Sequence, residues 1–183
     1  MLINISDEII ARARRIKLLL LDCDGVLTDG GLYYTFDGKH VLEGAKVFHI
    51  HDGLGLKLAR EAGLKVGIIS GRVSPALIAR SRDLQIDYLH QGIDDKLSVY
   101  EQIRTAEGLA GEEIAYVGDD LPDLPVMRRV GLAIAVADAV EEVRECAHYV
   151  TKKIGGRGAA REVVELLLKA QDKWSESLLR YSL

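Results

Sequence analysis

Only two cysteines, Cys23 and Cys146, occur in 183 residues, too few for a disulfide framework. Both are read as reduced thiols, Cys23 at a buried strand end. The sequence also lacks any block of lysine or arginine, and its formal net charge is −4. Nucleic acid and anionic membranes are bound through a concentrated positive field, so neither is an expected partner; a small anion met by a local group of basic residues remains open. No stretch reaches the roughly 18 consecutive apolar residues needed to span a bilayer. Residues Met1 to Arg15 alternate apolar with charged side chains and lack the continuous apolar core of a signal peptide. A soluble, cytoplasmic protein is expected. Internal repeats and low-complexity segments are absent as well.

With 48% hydrophobic residues, the chain can bury one substantial core, and a single domain over 1–183 is expected. From Lys17 onward, short apolar runs alternate with helical patterns, which predicts an α/β fold with a doubly wound parallel sheet. The strands are predicted at Lys17–Asp22, Leu64–Ser70, Ile86–His90, Ile114–Gly118, Leu132–Ala135 and His148–Val150. Helical spacing marks Gly53–Ala62, Pro75–Leu84, Asp95–Glu107, Asp123–Val130 and Ala139–Cys146. Two segments break the alternation. Gly31–Ile50 reads as a β-hairpin turning at Asp37-Gly38. Gly155-Gly156-Arg157-Gly158 precedes one long helix from Ala159 to about Arg180, with Val163, Val164, Leu167, Ala170, Trp174 and Leu178 on a shared face.

In an open parallel sheet, ligands bind at the carboxyl ends of the strands. The residues collected there are Asp22 and Asp24 after the first strand, Ser70-Gly71-Arg72 after the second, and Asp119, Asp120 and Asp123 after the fourth, with Lys96 opening the helix after the third. Two carboxylates about 4 Å apart repel by roughly 4 kcal/mol at an effective dielectric of about 20, so the group needs a cation. An all-oxygen donor set suits Mg²⁺ better than Zn²⁺. Phosphoryl chemistry then gives each residue a task. Asp22 attacks phosphorus and forms an aspartyl-phosphate. Asp24 gives a proton to the leaving oxygen and later takes one from water. Ser70 and Lys96 bind phosphate oxygens. Asp119 completes the metal shell. His49 and His51, two apart on an expected strand with no third ligand, do not make a metal site.

Asp22-Cys23-Asp24-Gly25, Ser70, Lys96 and Gly118-Asp119-Asp120-x-x-Asp123 resemble, in order, the four motifs of the haloacid-dehalogenase superfamily. The intervals between motifs hold no cap domain. A closer resemblance runs from Lys17 to Trp174: Asp22 to Gly30, Asp52-Gly53-Leu54-Gly55, Ser70-Gly71-Arg72, Gln91-Gly92, Tyr116 to Leu121 and Gly155 to Ala159 are similar to the family of KDO (3-deoxy-D-manno-octulosonate) 8-phosphate phosphatases. That resemblance implies a capless, Mg²⁺-dependent homotetramer that releases KDO for lipopolysaccharide synthesis. It implies side-chain metal ligands Asp22 and Asp119, with Asp24 adding its backbone carbonyl. His49, His51, Asp52, Gly53, Lys57, Arg72, Arg80 and Lys96 would surround the sugar acid and its phosphate, as would Asp24. The sequence departs from the family at His49-Ile50-His51-Asp52-Gly53, where Asn-x-Arg-Asp-Gly is usual, and at Lys57, where an arginine is expected. These changes touch sugar contacts and leave the phosphate chemistry intact. A sister phosphatase for a nine-carbon, sialic-type acid phosphate is the alternative, against which Arg72 speaks. A phospho-receiver module shares clustered aspartates and a lysine, but it places its acidic pair and acceptor in a different order.

Overall fold

The computed structural model describes residues 5–39, 41–43 and 45–181. Its principal sheet has six strands: β1 (Leu18–Leu21), β4 (Lys65–Ser70), β5 (Tyr88–Gln91), β6 (Ile114–Gly118), β7 (Leu132–Ala135) and β8 (Tyr149–Val150). They lie in the order β5-β4-β1-β6-β7-β8, and every pairing is parallel. All four leucines of β1 are fully buried, as a central strand covered on both faces requires. Register is direct: Leu21 pairs with Ile68 of β4 on one side and with Val117 of β6 on the other, and these neighbours run on to Ser70 and Gly118. The chain winds from β1 first toward β4 and later toward β6. The carboxyl end of β1 is therefore the switch point of the sheet, where a crevice opens.

Helices α2 (Ile50–Glu61), α3 (Pro75–Leu84), α4 (Lys96–Glu107), α5 (Leu124–Met127), α6 (Glu141–Cys146) and α7 (Ala159–Ala170) connect and flank the strands. Most follow the sequence pattern. Helix α2 starts three residues earlier than expected because the His49 imidazole Nδ1 accepts the His51 N–H at 3.2 Å and caps it. His49 and His51 thus sit at a helix start and not on a strand. The segment expected as a helix over Asp123–Val130 is a 3₁₀ turn at Leu121–Asp123 followed by the single turn of α5. A further helix, α1 (Asp7–Arg15), lies where the sequence showed only alternation; Ser6 caps it by accepting the Ile9 N–H.

The expected helix from Ala159 to about Arg180 is two helices. Helix α7 ends at Ala170, Asp172 takes a left-handed conformation at φ 59°, and α8 (Trp174–Leu178) follows. Tertiary hydrogen bonds hold the break. The Gln171 side chain donates to the Ala13 and Ile16 carbonyls, and Lys173 Nζ donates to the Ala62 carbonyl. Those carbonyls lie at the ends of α1 and α2, so the interruption brings side-chain donors to the carboxyl ends of both helices. No helix among the described residues is long and apolar enough to cross a membrane.

The hairpin forms as expected, with β2 (Tyr34–Phe36) antiparallel to β3 (Val41–Glu43) and the turn beginning at Asp37. The strand does not extend to Val47-Phe48; residues 45–49 form a connector into α2. Positions 40 and 44 of the expected hairpin lie outside the described residues.

Helix α7 owes its start to a residue far away in sequence. Asp52 of α2, 2% exposed, accepts the Gly158 N–H at 3.1 Å and the Arg161 N–H at 2.8 Å. It thereby fills the capping role that Gly158, at the N-cap, has no side chain to play. Replacing Asp52 with alanine is expected to cost about 2–3 kcal/mol, since two sheltered N–H groups lose their acceptor. Asp52→Asn is expected to keep most of that stability. Urea unfolding midpoints of the two variants check this; an Asp52→Ala midpoint equal to wild type would refute it.

Candidate active site

The loop leaving β1 carries Asp22 and Asp24 into the crevice. Three carboxylates, Asp22, Asp119 and Asp123, converge there with oxygen atoms within 4.8 Å of one another. One ammonium answers two of them: Lys96 Nζ stands 2.8 Å from Asp22 and 2.7 Å from Asp123. Lys96 is the first residue of α4, where the helix dipole disfavours a cation, so the pairing has to outweigh that position. Asp95 provides the cap just before it, accepting the Ser98 N–H.

Asp123 is fully engaged. Tyr116 Oη donates to its Oδ1 at 2.7 Å, alongside Lys96, while the Asp119 and Asp120 N–H groups donate to its Oδ2. Asp119 is not, since its buried Oδ1 has no hydrogen-bond partner. Burial pushes the Asp119 carboxyl up to about 8, with the Asp22 and Asp123 charges adding to the effect. Burial likewise pushes Asp22 up to about 6, a rise that Lys96 moderates. Burial alone would lower Lys96, but Asp22 and Asp123 more than offset it and raise it. A surplus of buried negative charge with one unsatisfied carboxylate oxygen is a donor set suited to a hard divalent cation.

Close packing leaves no latitude at this point. A Cβ on Gly25, whose φ is +92°, would lie 2.0 Å from Asp119 Oδ2. The segment after β8 braces the same loop: the Gly156 N–H donates to the Val26 carbonyl, and a Cβ on Gly155 would lie 1.7 Å from the Gly25 carbonyl oxygen. Arg157 pairs with Asp29 at 3.3 Å.

A cavity of about 270 Å³ opens over the cluster, lined by Asp22, Asp24, Gly71, Arg72, Ile93, Asp94, Lys96, Asp119, Asp120, Pro122 and Asp123. Of the residues singled out in the sequence, it thus brings together Asp22, Asp24, Gly71, Arg72, Lys96, Asp119, Asp120 and Asp123. Ser70, 1% exposed, is not among the lining residues; its Oγ accepts the Arg72 N–H and donates to the Arg72 carbonyl, which shapes the loop. His49, His51, Asp52, Gly53, Lys57 and Arg80 do not line the cavity. They cluster on and around α2, where the Arg80 guanidinium lies against Gly53 and 5.9 Å from the centre of the Phe48 ring. Asp120 lines the rim and caps the 3₁₀ turn through the Leu121 N–H. Two participants had no role assigned to them from the sequence. Tyr116 stood only within the stretch Tyr116 to Leu121 that carries the resemblance. Lys46, whose Nζ pairs with Asp24 Oδ1, lies 22 residues away across the hairpin, where no spacing rule could connect them.

Residues 69–162 match the family of haloacid dehalogenase-like hydrolases. The 3-deoxy-D-manno-octulosonate 8-phosphate phosphatase of Yersinia pestis is 44% identical over 92% of this chain and 88% of its own length. That of Escherichia coli K12 is 44% identical over 94% and 90%. The crystal structure of the Moraxella catarrhalis enzyme, in complex with magnesium ion, phosphate ion and KDO, superposes with a TM-score of 0.92, at 39% identity, over 97% of this chain and all of that one.

Because both aspartates bind protons more tightly folded than unfolded, their contribution to stability is intact at low pH. It is lost as pH rises from their ordinary value of 3.8 through about 6 for Asp22 and about 8 for Asp119. In chelator, the melting temperature is expected to fall across this window, and a divalent cation should restore more at pH 8 than at pH 5. Asp119→Asn should flatten both responses. Thermal melts with and without Mg²⁺ measure this, and a cation effect independent of pH would refute it. The chain belongs to the haloacid dehalogenase-like hydrolases and, among them, to the family of 3-deoxy-D-manno-octulosonate 8-phosphate phosphatases.

Proposed function

We propose that the protein is an Mg²⁺-dependent phosphatase that hydrolyses KDO 8-phosphate to KDO and phosphate through an aspartyl-phosphate on Asp22. The observation that carries this reading is the placement of Asp22 at the switch point, ion-paired with Lys96 and facing Asp119 and Asp123, in a chain 44% identical to phosphatases named for that substrate. In this reading Asp22 and Asp119, with the Asp24 carbonyl, hold the metal. Mg²⁺, when bound, neutralises the carboxylates and draws charge from the phosphoryl oxygens.

The side chains do the rest. Lys96 orients Asp22, and its charge lets the carboxylate stay ionised in a buried place. Asp22 attacks phosphorus while the bond to the sugar oxygen breaks, and Asp24 supplies that oxygen with a proton. Asp24 then accepts a proton from the water that attacks the aspartyl-phosphate, which regenerates Asp22. Ser70 holds its loop so that Arg72 meets the substrate at the cavity wall, and a guanidinium matches a carboxylate or phosphate bidentately.

The cavity is open, and a reactive phosphoryl group needs shelter from water. A homotetramer joined through the hairpins supplies this cover, with the C-terminal segment closing the site. In support, Tyr33, Tyr34 and Phe36 of the hairpin are 55%, 59% and 68% exposed, an apolar surface costly to leave in water. His49, His51, Gly53, Lys57 and Arg80 then meet the sugar acid at the mouth of the assembled site. Asp52 serves them by tying α2 to α7. The setting is the cytoplasm, where KDO is made available for lipopolysaccharide.

Two outcomes are expected. A phosphate-release panel with Mg²⁺ should give turnover of KDO 8-phosphate that chelator stops and that Asp22→Asn lowers by at least about 10³-fold. Equal or faster release from a nine-carbon acid 9-phosphate would favour that substrate instead, and retained activity in Asp22→Asn would exclude the nucleophile. Sedimentation should give a tetramer that Phe36→Lys disrupts with loss of activity; a fully active monomer would refute the shared cover.

A further inference from the structure

Lys46 stands in the connector between β3 and α2, in no regular element. Its side chain is only 4% exposed, and its Nζ pairs with Asp24 Oδ1, whose side chain is 20% exposed and lines the cavity. Sheltering an ammonium this far costs stability unless it has a partner of opposite charge. A surface ion pair would need no such depth. Lys96, the other buried ammonium of the site, reaches Asp22 and Asp123. The two cations therefore divide the carboxylates, Lys96 serving the one that attacks and Lys46 the one on the leaving side.

We infer that Lys46 is a positioning residue for Asp24 in the departure of the leaving oxygen, an inference that rests on the acid role proposed for Asp24. During the first transfer the Asp22 oxygen bonds to phosphorus and the phosphorus–oxygen bond to the sugar breaks. The electron pair stays on the leaving oxygen, which takes the Asp24 proton. Asp24 is left as a carboxylate. The Lys46 ammonium lies where that negative charge appears, already placed by the fold and screened from water, so it stabilises the product of proton transfer without reorganisation. By engaging Oδ1 it also fixes the plane of the carboxyl group, and hence the direction in which Asp24 meets the leaving oxygen. Because Lys46 follows β3 by three residues, the seat of the hairpin sets the seat of this ammonium.

Acid assistance matters in proportion to how poor the leaving group is, and this separates positioning from mere support of the fold. The experiment compares kcat/KM, which reports the first transfer, for KDO 8-phosphate and for para-nitrophenyl phosphate, whose phenolate departs without a proton. Wild type, Lys46→Met, Lys46→Arg and Asp24→Asn are measured in Mg²⁺. Lys46→Met is expected to lose about 30-fold or more on the sugar ester and under about 3-fold on the aryl ester, with Asp24→Asn showing the same split more strongly. Lys46→Arg should recover most of the loss. Lys46→Gln, close in length and neutral, takes the place of the methionine variant if that one does not fold. Equal losses on both esters, a change confined to KM, or no loss at all would overturn the inference while wild-type turnover stands. A wild type inactive on both esters would overturn the functional reading and the inference with it.

Discussion

The site depends on the burial of more negative charge than the chain itself neutralises. Asp22, Asp119 and Asp123 share a space in which Lys96 reaches two of them. Each pair of carboxylates at such distances opposes folding by an amount comparable with a sizeable fraction of a domain's net stability. The fold meets this unevenly. Asp123 is surrounded by donors, Lys96, Tyr116 and two backbone N–H groups, and can carry its charge without outside help. Asp119 keeps a buried oxygen without a partner, so the cluster as a whole suits a hard divalent cation.

Such a cluster persists only on a support that cannot relax around it. The pairing of Leu21 with Val117 brings the Asp22 and Asp119 backbones together before any side chain is placed. Two glycines then allow contacts no other residue could make: Gly25 against the Asp119 carboxylate, and Gly156, at φ +62°, against the backbone of Thr28 and Asp29. The loop that bears Asp22 is thus clamped between the sheet and the segment following β8. Asp52 extends the brace by anchoring α7 immediately after that segment. A residue that the sequence placed among the sugar contacts is, in the fold, engaged with helix backbone.

The fold was largely legible because its signals are local. A parallel strand buried on both faces is a short apolar run, such as Leu18–Leu21, and a flanking helix has its own period. The acidic residues stood out because they follow such runs directly. The break between α7 and α8 was not legible: the apolar period continues through Trp174 and Leu178, and the interruption serves carbonyls of α1 and α2. The start of α2 was placed three residues late, since the cap is an imidazole instead of one of the commoner hydroxyl or carboxylate caps. Helix α1 did carry a local signal, Ser6 followed by Asp7 and Glu8, which its mixed apolar and charged pattern obscured.

By itself the sequence determined the parallel sheet, the four strand-end motifs, and therefore the residues that gather at the edge of β1, because periodicity and chain order act over a few residues at a time. Only the tertiary structure decided how the charges are shared: Lys96 between Asp22 and Asp123, Lys46 on Asp24, Asp52 on the start of α7 and an oxygen of Asp119 left over. Partnership between ions is set by distance and shielding from water across segments tens of residues apart, and neither quantity is written in the order of residues along a chain.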